Sequence, residues 1–536
     1  MKYLLICRPL TISVALLTAL ACAPEFKVDE ATIAEIHAAM EAGQLTAEQL
    51  VQAYVDRIEA YDKQGPSINS IITLNPGALD RAKELDDKLA QSGFIGPLHG
   101  IPVIVKDNYD TSDLPTTNGT LALKNSVPPD DAYQVRKLRE AGAIVLAKSN
   151  LAEFASSGAF TVSSVLPGYT RNPYDLRRVT AGSSGGTAAA VTANFGTVGL
   201  GTDTGSSIRG PSSHQSLVGF RTTMGLSSRD GIAPLNMARD VGGPMARTVT
   251  DAVAVLEVIV GHDLADPVTE ASAGQIPANY HQFLDRDGLV GARIGVLRQF
   301  FEVADAQEDG PQPSDPGQDA EEPQPRTVHP EILRVLEEAL ADMERGGAVI
   351  VDSLEIPNLD SIRSEFPSIS RLRHDFEIYL ASRPEVPYKT LAEIVESGDY
   401  HPYLQSSLNR SKDVEGAPQD HPDYQKYLDV TESLREAVLA VMDENQVDVL
   451  AYPTYNYPPR LIGDLNTTYG ANSGTLSPPT GFPAFNVPMG YSFGELPAGL
   501  QMLGRPFSEP VLIRLSYAYE QLTRHRRPPK STPPLR

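Results

Sequence analysis

Residues 180–202 read TAGSSGGTAAAVTANFGTVGLGT. So little side chain covers this stretch that a ligand or catalytic group can approach its backbone closely. Residues 185–195 read as a helix of tiny residues, thin enough to press against a sheet, with an N-terminus that favours negative charge. A phosphate loop is the first chemistry to weigh. It fails, because Gly182-Ser-Ser-Gly-Gly186 runs into Thr187-Ala-Ala with no lysine to reach a terminal phosphate. The remaining readings are close helix packing alone or a site built on this backbone.

The surroundings favour a layered α/β fold. Ile101-Pro-Val-Ile-Val105 and Ala143-Ile-Val-Leu-Ala147 are short apolar runs bounded by glycine, the pattern of buried strands, with helix-like segments between them. Residues 29–42 and 46–60 place Ile33, Ile36 and Met40, then Leu50, Ala53, Tyr54 and Ile58, at helical spacing, and Thr46 with Gln49 forms a capping box. At 41% hydrophobic and 21% charged, the 536 residues match a globular protein with length for a large core. The balance of 45 basic and 68 acidic residues, 45 − 68 = −23, opposes nucleic-acid partners, because the field repels phosphates.

The first residues read as an address. Lys2 and Arg8 precede an apolar stretch over residues 9–21, and Ala19-Leu20-Ala21 supplies a small-x-small cleavage pattern, so residues 1–21 predict an export signal and a periplasmic or extracellular protein. Cys22 follows directly and permits a lipid anchor, the one route by which membrane enters this reading. Cys7 and Cys22 are the only cysteines, so neither an intrachain disulfide nor a cysteine metal site is expected in the body over residues 25–528. Residues 304–326 are rich in proline, glutamine and acid with almost nothing apolar to bury, and predict a solvated insertion. Residues 529–536 form a basic, proline-rich tail.

A second cluster carries the candidate chemistry. In Gly201-Thr-Asp-Thr-Gly-Ser-Ser-Ile-Arg-Gly-Pro211, two serines sit in a turn-like run where consecutive backbone N–H groups can converge on an oxyanion, and Ser207 is the candidate nucleophile. A serine hydroxyl needs a base. His214 is the nearest histidine in sequence but has the context of a structural residue, and no HExxH or other zinc pattern exists, so no metal or cofactor is expected. Lys106 ends the apolar run at 101–105. Burial there would lower its pKa toward that of a useful base, whereas solvent exposure at the strand end would leave it an ordinary cation.

Together, Gly100-Ile-Pro-Val-Ile-Val-Lys-Asp107, Ala181-Gly-Ser-Ser-Gly-Gly186 and Gly201-Thr-Asp-Thr-Gly-Ser-Ser-Ile-Arg209 resemble the amidase signature family. The likeness extends from about Thr32 to about Pro528 through Asn150-Leu-Ala-Glu-Phe154 and Leu496-Pro-Ala-Gly-Leu-Gln-Met-Leu-Gly-Arg505, and leaves out the acidic insertion. The resemblance implies a single large domain with a mixed central sheet flanked by helices on both sides. It also implies hydrolysis of a small-molecule or peptide amide through an acyl-enzyme on Ser207, with Ser183, after a cis peptide bond, and Lys106 as the proton relay. Thr204, Gly205, Ser206 and Ser207 would supply the oxyanion amides, Asp203 and Arg209 would pin their loop, and Ser184 would assist by hydrogen bonding. Ser206 departs from the family, which commonly has glycine there, so the turn must admit a Cβ.

Other readings rest on thinner signals. Gly-x-Ser-x-Gly spacing centred on Ser184 and on Ser492 would suit a histidine-dependent esterase, but Phe493-Gly-Glu-Leu-Pro cannot open a helix and residues 177–181 make a poor buried strand. A Ser-x-x-Lys arrangement is excluded, because no lysine has serine three positions before it. A non-catalytic exported binding protein is opposed by intact Lys106, Ser183 and Ser207, and a transfer-RNA amidotransferase component by the export signal and acidity. Within residues 285–448, Phe366, Phe376, Tyr379 and Leu380 suit either core or an acyl tunnel, with core favoured. Deleting residues 304–326 is expected to move the thermal midpoint little, since the segment has little to bury; loss of soluble protein would show that it packs.

Overall fold

The computed structural model describes residues 26–301, 327–464, 467 and 470–535. The predicted export signal, Cys22 and the insertion at 304–326 lie outside the described residues, as does Arg536.

Thirteen strands form along the described chain: β1 (Ile71–Leu74), β2 (Pro102–Lys106), β3 (Ile144–Ser149), β4 (Arg171–Asn172), β5 (Asp175–Val179), β6 (Val198–Asp203) and β7 (Val218–Arg221), then β8 (Val241–Ala246), β9 (Arg293–Val296), β10 (Val349–Val351), β11 (Val449–Pro453), β12 (Ala484–Ser492) and β13 (Leu496–Leu503). Eleven of them make one sheet, in the order β1-β3-β2-β6-β8-β7-β12-β13-β11-β9-β10, and β4 with β5 forms a separate ribbon. The sheet is mixed. β2 runs parallel to β3 and to β6, while β6 pairs antiparallel with β8. Helices flank it, and the central strands β2, β3, β6, β8 and β11 are buried along their whole length.

The small-residue stretch explains how the site is assembled. The helix Gly185–Thr192 is buried at every position and packs on β2, β3 and β6. A Cβ on Gly186 would stand 2.2 Å from the Asn150 carbonyl oxygen, and one on Gly199 would stand 2.5 Å from Thr187 Cγ2. Larger residues would lift the helix off the sheet, and Ser183 and Ser184, which lead into it, would leave the end of β6 with it.

The two N-terminal helices form at Ile33–Glu41 and Ala47–Ile58, the second capped by Thr46 and Gln49 as its sequence predicts, and Thr32 with Glu35 caps the first in the same way. The helices of residues 372–408 build a second apolar cluster, separate from the main core, in which Phe376, Tyr379 and Leu380 pack with Leu391, Ile394, Leu404 and Leu408. This cap rests on the body through Phe154, whose ring meets Phe376 edge-on at 5.1 Å. Phe366 packs against the main core instead.

The C-terminal tail is tied down. Arg57, 1% exposed, donates to the carbonyls of Ala193 and Asn194 in the body and of Thr532 and Pro533 in the tail, and pairs with Asp29 at 2.6 Å. Arg57→Ala leaves four carbonyls and a carboxylate without this donor, and is expected to lower the unfolding free energy in urea by about 3–5 kcal/mol. A change under about 0.5 kcal/mol, the size of an ordinary surface substitution, would contradict the clamp.

Candidate active site

Strand β2 delivers Lys106 to the centre of the molecule at 0% exposure. The parallel register sets Lys106 beside Ser149 and Val105 beside Lys148, so the two lysines leave the sheet on opposite faces. Ser149 Oγ lies 2.7 Å from Thr187 Oγ1, which identifies the face of Lys106 as the one covered by the helix Gly185–Thr192.

The two buried lysines have different surroundings. Lys148 pairs with Asp107 at 3.1 Å and donates to the Tyr109 carbonyl and to Thr116 Oγ1, both at 2.8 Å. Lys106 Nζ instead lies 2.8 Å from Ser183 Oγ and 2.7 Å from Thr202 Oγ1. Among the described residues no carboxylate forms an ion pair with it. Burial pushes its ammonium down to about 7, against weaker opposing pulls from Asp203 and Asp240. The solvent-exposed alternative for this lysine is therefore set aside, and the amine is poised to lose its proton near neutral pH.

The Gly182–Ser183 peptide is cis. The Ser183 carbonyl accepts from the Ala152 N–H at 3.0 Å, so the segment Asn150-Leu-Ala-Glu-Phe154 holds this loop from outside. Ser184 faces the end of β6, where its hydroxyl donates to the Thr202 carbonyl at 3.2 Å and accepts from the Thr202 N–H at 3.3 Å. Its N–H donates to the Ser207 carbonyl at 3.2 Å, which ties the two serine-bearing loops together.

The loop Thr204-Gly-Ser-Ser207 is held almost entirely by its carbonyls. Gly205 C=O accepts from Arg209 Nη2 at 2.8 Å, Ser206 C=O from the Gly210 N–H at 2.7 Å, and the preceding Asp203 C=O from Arg221. Among the described residues no acceptor takes the N–H of Thr204, Gly205, Ser206 or Ser207. A loop with pinned carbonyls and free amides has donors to offer an anion. Ser206 has no positive φ, so its Cβ fits without the strain that its position invited. Ser207 is buried, 5% exposed.

Beneath this loop lies a buried ionic knot. Asp203 accepts from Arg209 Nε at 3.0 Å and Nη2 at 3.1 Å and from the Ile208 N–H at 3.1 Å, with Arg221 at 3.3 Å. Burial by itself would raise the Asp203 carboxyl, but the two guanidiniums outweigh it and hold the group at about 2.

Several contributors have no counterpart among the sequence expectations. Thr202 Oγ1 accepts from both Lys106 and Asn108, the latter at 3.1 Å, and Asp240 accepts from the Thr204 hydroxyl at 2.5 Å. A cavity of about 10 Å³, lined in part by Asn108, Thr202, Thr204, Leu235 and Asp240, adjoins them. Asn108 stands two residues after Lys106, in the turn that the Tyr109 N–H closes on the Lys106 carbonyl at 3.0 Å. Asp240 and Arg221 have no such signal, since the antiparallel pairings of β6, β8 and β7 bring them in.

The competing nucleophile arrangements do not assemble. His214 ends the helix Arg209–His214 with its ring stacked on Tyr455 at 4.2 Å; burial lowers its imidazole to about 3, and among the described residues no hydrogen bond joins it to Ser207. Ser492 ends β12 and donates to the Leu496 carbonyl at 3.2 Å, so its glycines belong to a β-hairpin. The strand before Ser184, β5, lies in the detached ribbon. Among the described residues no group of His, Cys, Asp and Glu gathers as a metal site would require.

The chain belongs to the amidase family, whose family model matches residues 49–311 and 320–513, and it is a carbon–nitrogen bond hydrolase by class. It is similar to a probable amidase of Arabidopsis thaliana, 32% identical across 98% of this chain and 96% of the plant protein. Among solved structures, the native peptide amidase of Stenotrophomonas maltophilia superposes with a TM-score of 0.80 at 35% identity, covering 93% of this chain and 98% of that one. An amidase family protein from Bacillus anthracis superposes with a TM-score of 0.78 at 30% identity, covering 94% of this chain and 93% of its own.

Asp203→Asn is expected to destabilise the protein by about 3–5 kcal/mol at neutral pH, because two buried guanidiniums lose their counter-charge. The native Asp203 value lies below the unfolded one, so its contribution is present above the unfolded value and fades as pH falls toward about 2. In urea unfolding the gap between variant and parent should therefore narrow on acidification; a gap that widens would refute the assignment.

Proposed function

We propose that this protein hydrolyses carboxamides, most readily the amide of a peptide, with Ser207 as nucleophile, Ser183 as proton shuttle and Lys106 as base. The observation that carries the proposal is the buried Lys106 amine, paired with no described carboxylate, 2.8 Å from Ser183 Oγ, beside a loop whose backbone amides meet no acceptor among the described residues.

The chemistry follows from those groups. Ser207 attacks the amide carbon as its proton passes to Ser183 and the Ser183 proton passes to neutral Lys106. The negative charge on the former carbonyl oxygen meets the amides of the 204–207 loop, where each well-placed donor typically contributes about 3 kcal/mol. The relay then runs in reverse. Lys106 returns a proton through Ser183 to the departing nitrogen, which leaves as ammonia or an amine, and water releases the acyl group from Ser207 by the same path.

Similarity to the Stenotrophomonas peptide amidase, together with an acidic body that repels phosphates, supports a peptide or small amide over a nucleic-acid-borne substrate. The charge and apolar pattern of residues 1–21 supports export, to the periplasm or beyond, with lipid attachment at Cys22 as the route to a membrane.

Two results test the relay in a release assay on peptide amides. Lys106→Ala should lower kcat/KM by about a thousandfold or more with the fold retained, and a loss within about tenfold, equivalent to about 1.4 kcal/mol, would sink it. In the parent enzyme kcat/KM should rise with pH through about 7 as Lys106 loses its proton, then level off. A flat profile from mildly acid to alkaline pH contradicts a lysine base.

A further inference from the structure

A groove of about 480 Å³ lies outside the reacting site, lined by Met224, Ala238, Pro479 and Gly481 on one side and by one face of the helix Tyr424–Glu444 on the other. Tyr424, Tyr427, Leu428, Thr431 and Arg435 follow helical spacing and form that face, while Asp429 and Glu432 stand at its edge. The two tyrosine rings stack at 6.4 Å. Leu428, a large apolar side chain, is 41% exposed. Thr431 is more than nine-tenths buried, lines the groove, and its hydroxyl has no hydrogen-bond partner among the described residues.

The charge of this groove has a sign. Arg435 donates to the Thr480 carbonyl at 2.8 Å and pairs with Glu432 at 3.2 Å, which leaves Asp429 as the charge of the lining without an ion-pair partner among the described residues. Asp429 meets the neutral Gln425 amide at 2.8 Å. A carboxylate, two tyrosine faces and an unpartnered hydroxyl together suit a cation on an aliphatic stem, which lays its methylenes on the rings and its charge toward the carboxylate.

The groove is joined to the reacting site by one loop. Leu235 and Asp240 line the small cavity beside Thr202, Asp240 holds the Thr204 hydroxyl, and Ala238 of the same loop lines the groove. A second bridge runs from Arg229, which lines the small cavity, to the Met224 sulfur at 3.6 Å.

We propose that this groove is an extended subsite for a lysine or arginine side chain upstream of the scissile amide in a peptide amide. The inference rests on the amide-hydrolase reading above and adds the chemistry of a residue remote from the reacting bond.

A ladder of alanine-rich peptide amides tests it, each with one lysine placed between the second and sixth residue from the amide, and each matched to a peptide with norleucine at that place. At one position lysine should raise kcat/KM about fivefold over norleucine, mainly through KM. Asp429→Asn combined with Glu432→Gln, both exposed, should bring that ratio to about one. In the parent protein, raising ionic strength from about 0.01 M to about 1 M, which shortens the screening length from about 30 Å to about 3 Å, should also shrink the ratio. A ratio near one at every position, or one that survives both the double substitution and high salt, overturns the subsite while leaving amide hydrolysis in place. Failure of the parent to cleave any of these amides, or a single amino-acid amide, overturns the underlying reading and the subsite with it.

Discussion

An amine taken wholly out of water without a carboxylate is the constraint around which this molecule is arranged. Desolvation disfavours the ammonium, and a buried lysine normally offsets part of that cost by pairing, as Lys148 does with Asp107, although burial still lowers its pKa. Lys106 meets the hydroxyls of Ser183 and Thr202 instead, and its pKa falls to about 7. The contrast is local and controlled. Two lysines on adjacent strands, equally buried and both lowered by desolvation, differ in the face of the sheet from which they project, and this decides which meets a carboxylate and which meets hydroxyls.

The covering layer serves the same arrangement. A helix of glycine, alanine and threonine comes close enough for Ser183 and Ser184 to reach the end of β6, and a longer side chain at Gly186 or Gly199 would collide with backbone or with Thr187. Across that junction, Arg209 and Arg221 hold Asp203, Arg209 also holds the Gly205 carbonyl, and among the described residues no acceptor takes the N–H groups of the 204–207 loop. Positive charge beneath the loop and free amides along it add in sign. In the proposed reaction such pre-set donors need no reorganisation when an oxyanion forms, which would make the ionic knot a positioning device as much as a stabilising one.

Much of this was legible in the sequence, for identifiable reasons. Unbroken apolar runs between glycines marked β2 and β3, and helical spacing, with a capping box on the second, marked the first two helices, because those signals lie within a few residues. Lys106, Ser183 and Ser207 were picked out by motif spacing and resemblance, and the short distances between the first two could not be read from a chain in which they stand 77 residues apart. Thr202 was inside a quoted motif yet had no assigned part, since its contact with Lys106 depends on the parallel pairing of β2 with β6. Asp240 arrives just before β8, the antiparallel partner of β6, Arg221 on β7, one strand further across the sheet, and the cap over Phe154 through a cluster at residues 372–408. Such long-range pairings leave no local signature.

If burial makes Lys106 the base that activates Ser207 through Ser183, the relay should show itself in the site and rate of reaction with a fluorophosphonate serine probe, read by intact mass and peptide mapping. One adduct is expected, on Ser207, absent in Ser207→Ala and forming far more slowly in Lys106→Ala and in Ser183→Ala. Labelling of Ser184, Ser206 or Ser492, or labelling of Ser207 at an unchanged rate without Lys106, would contradict it.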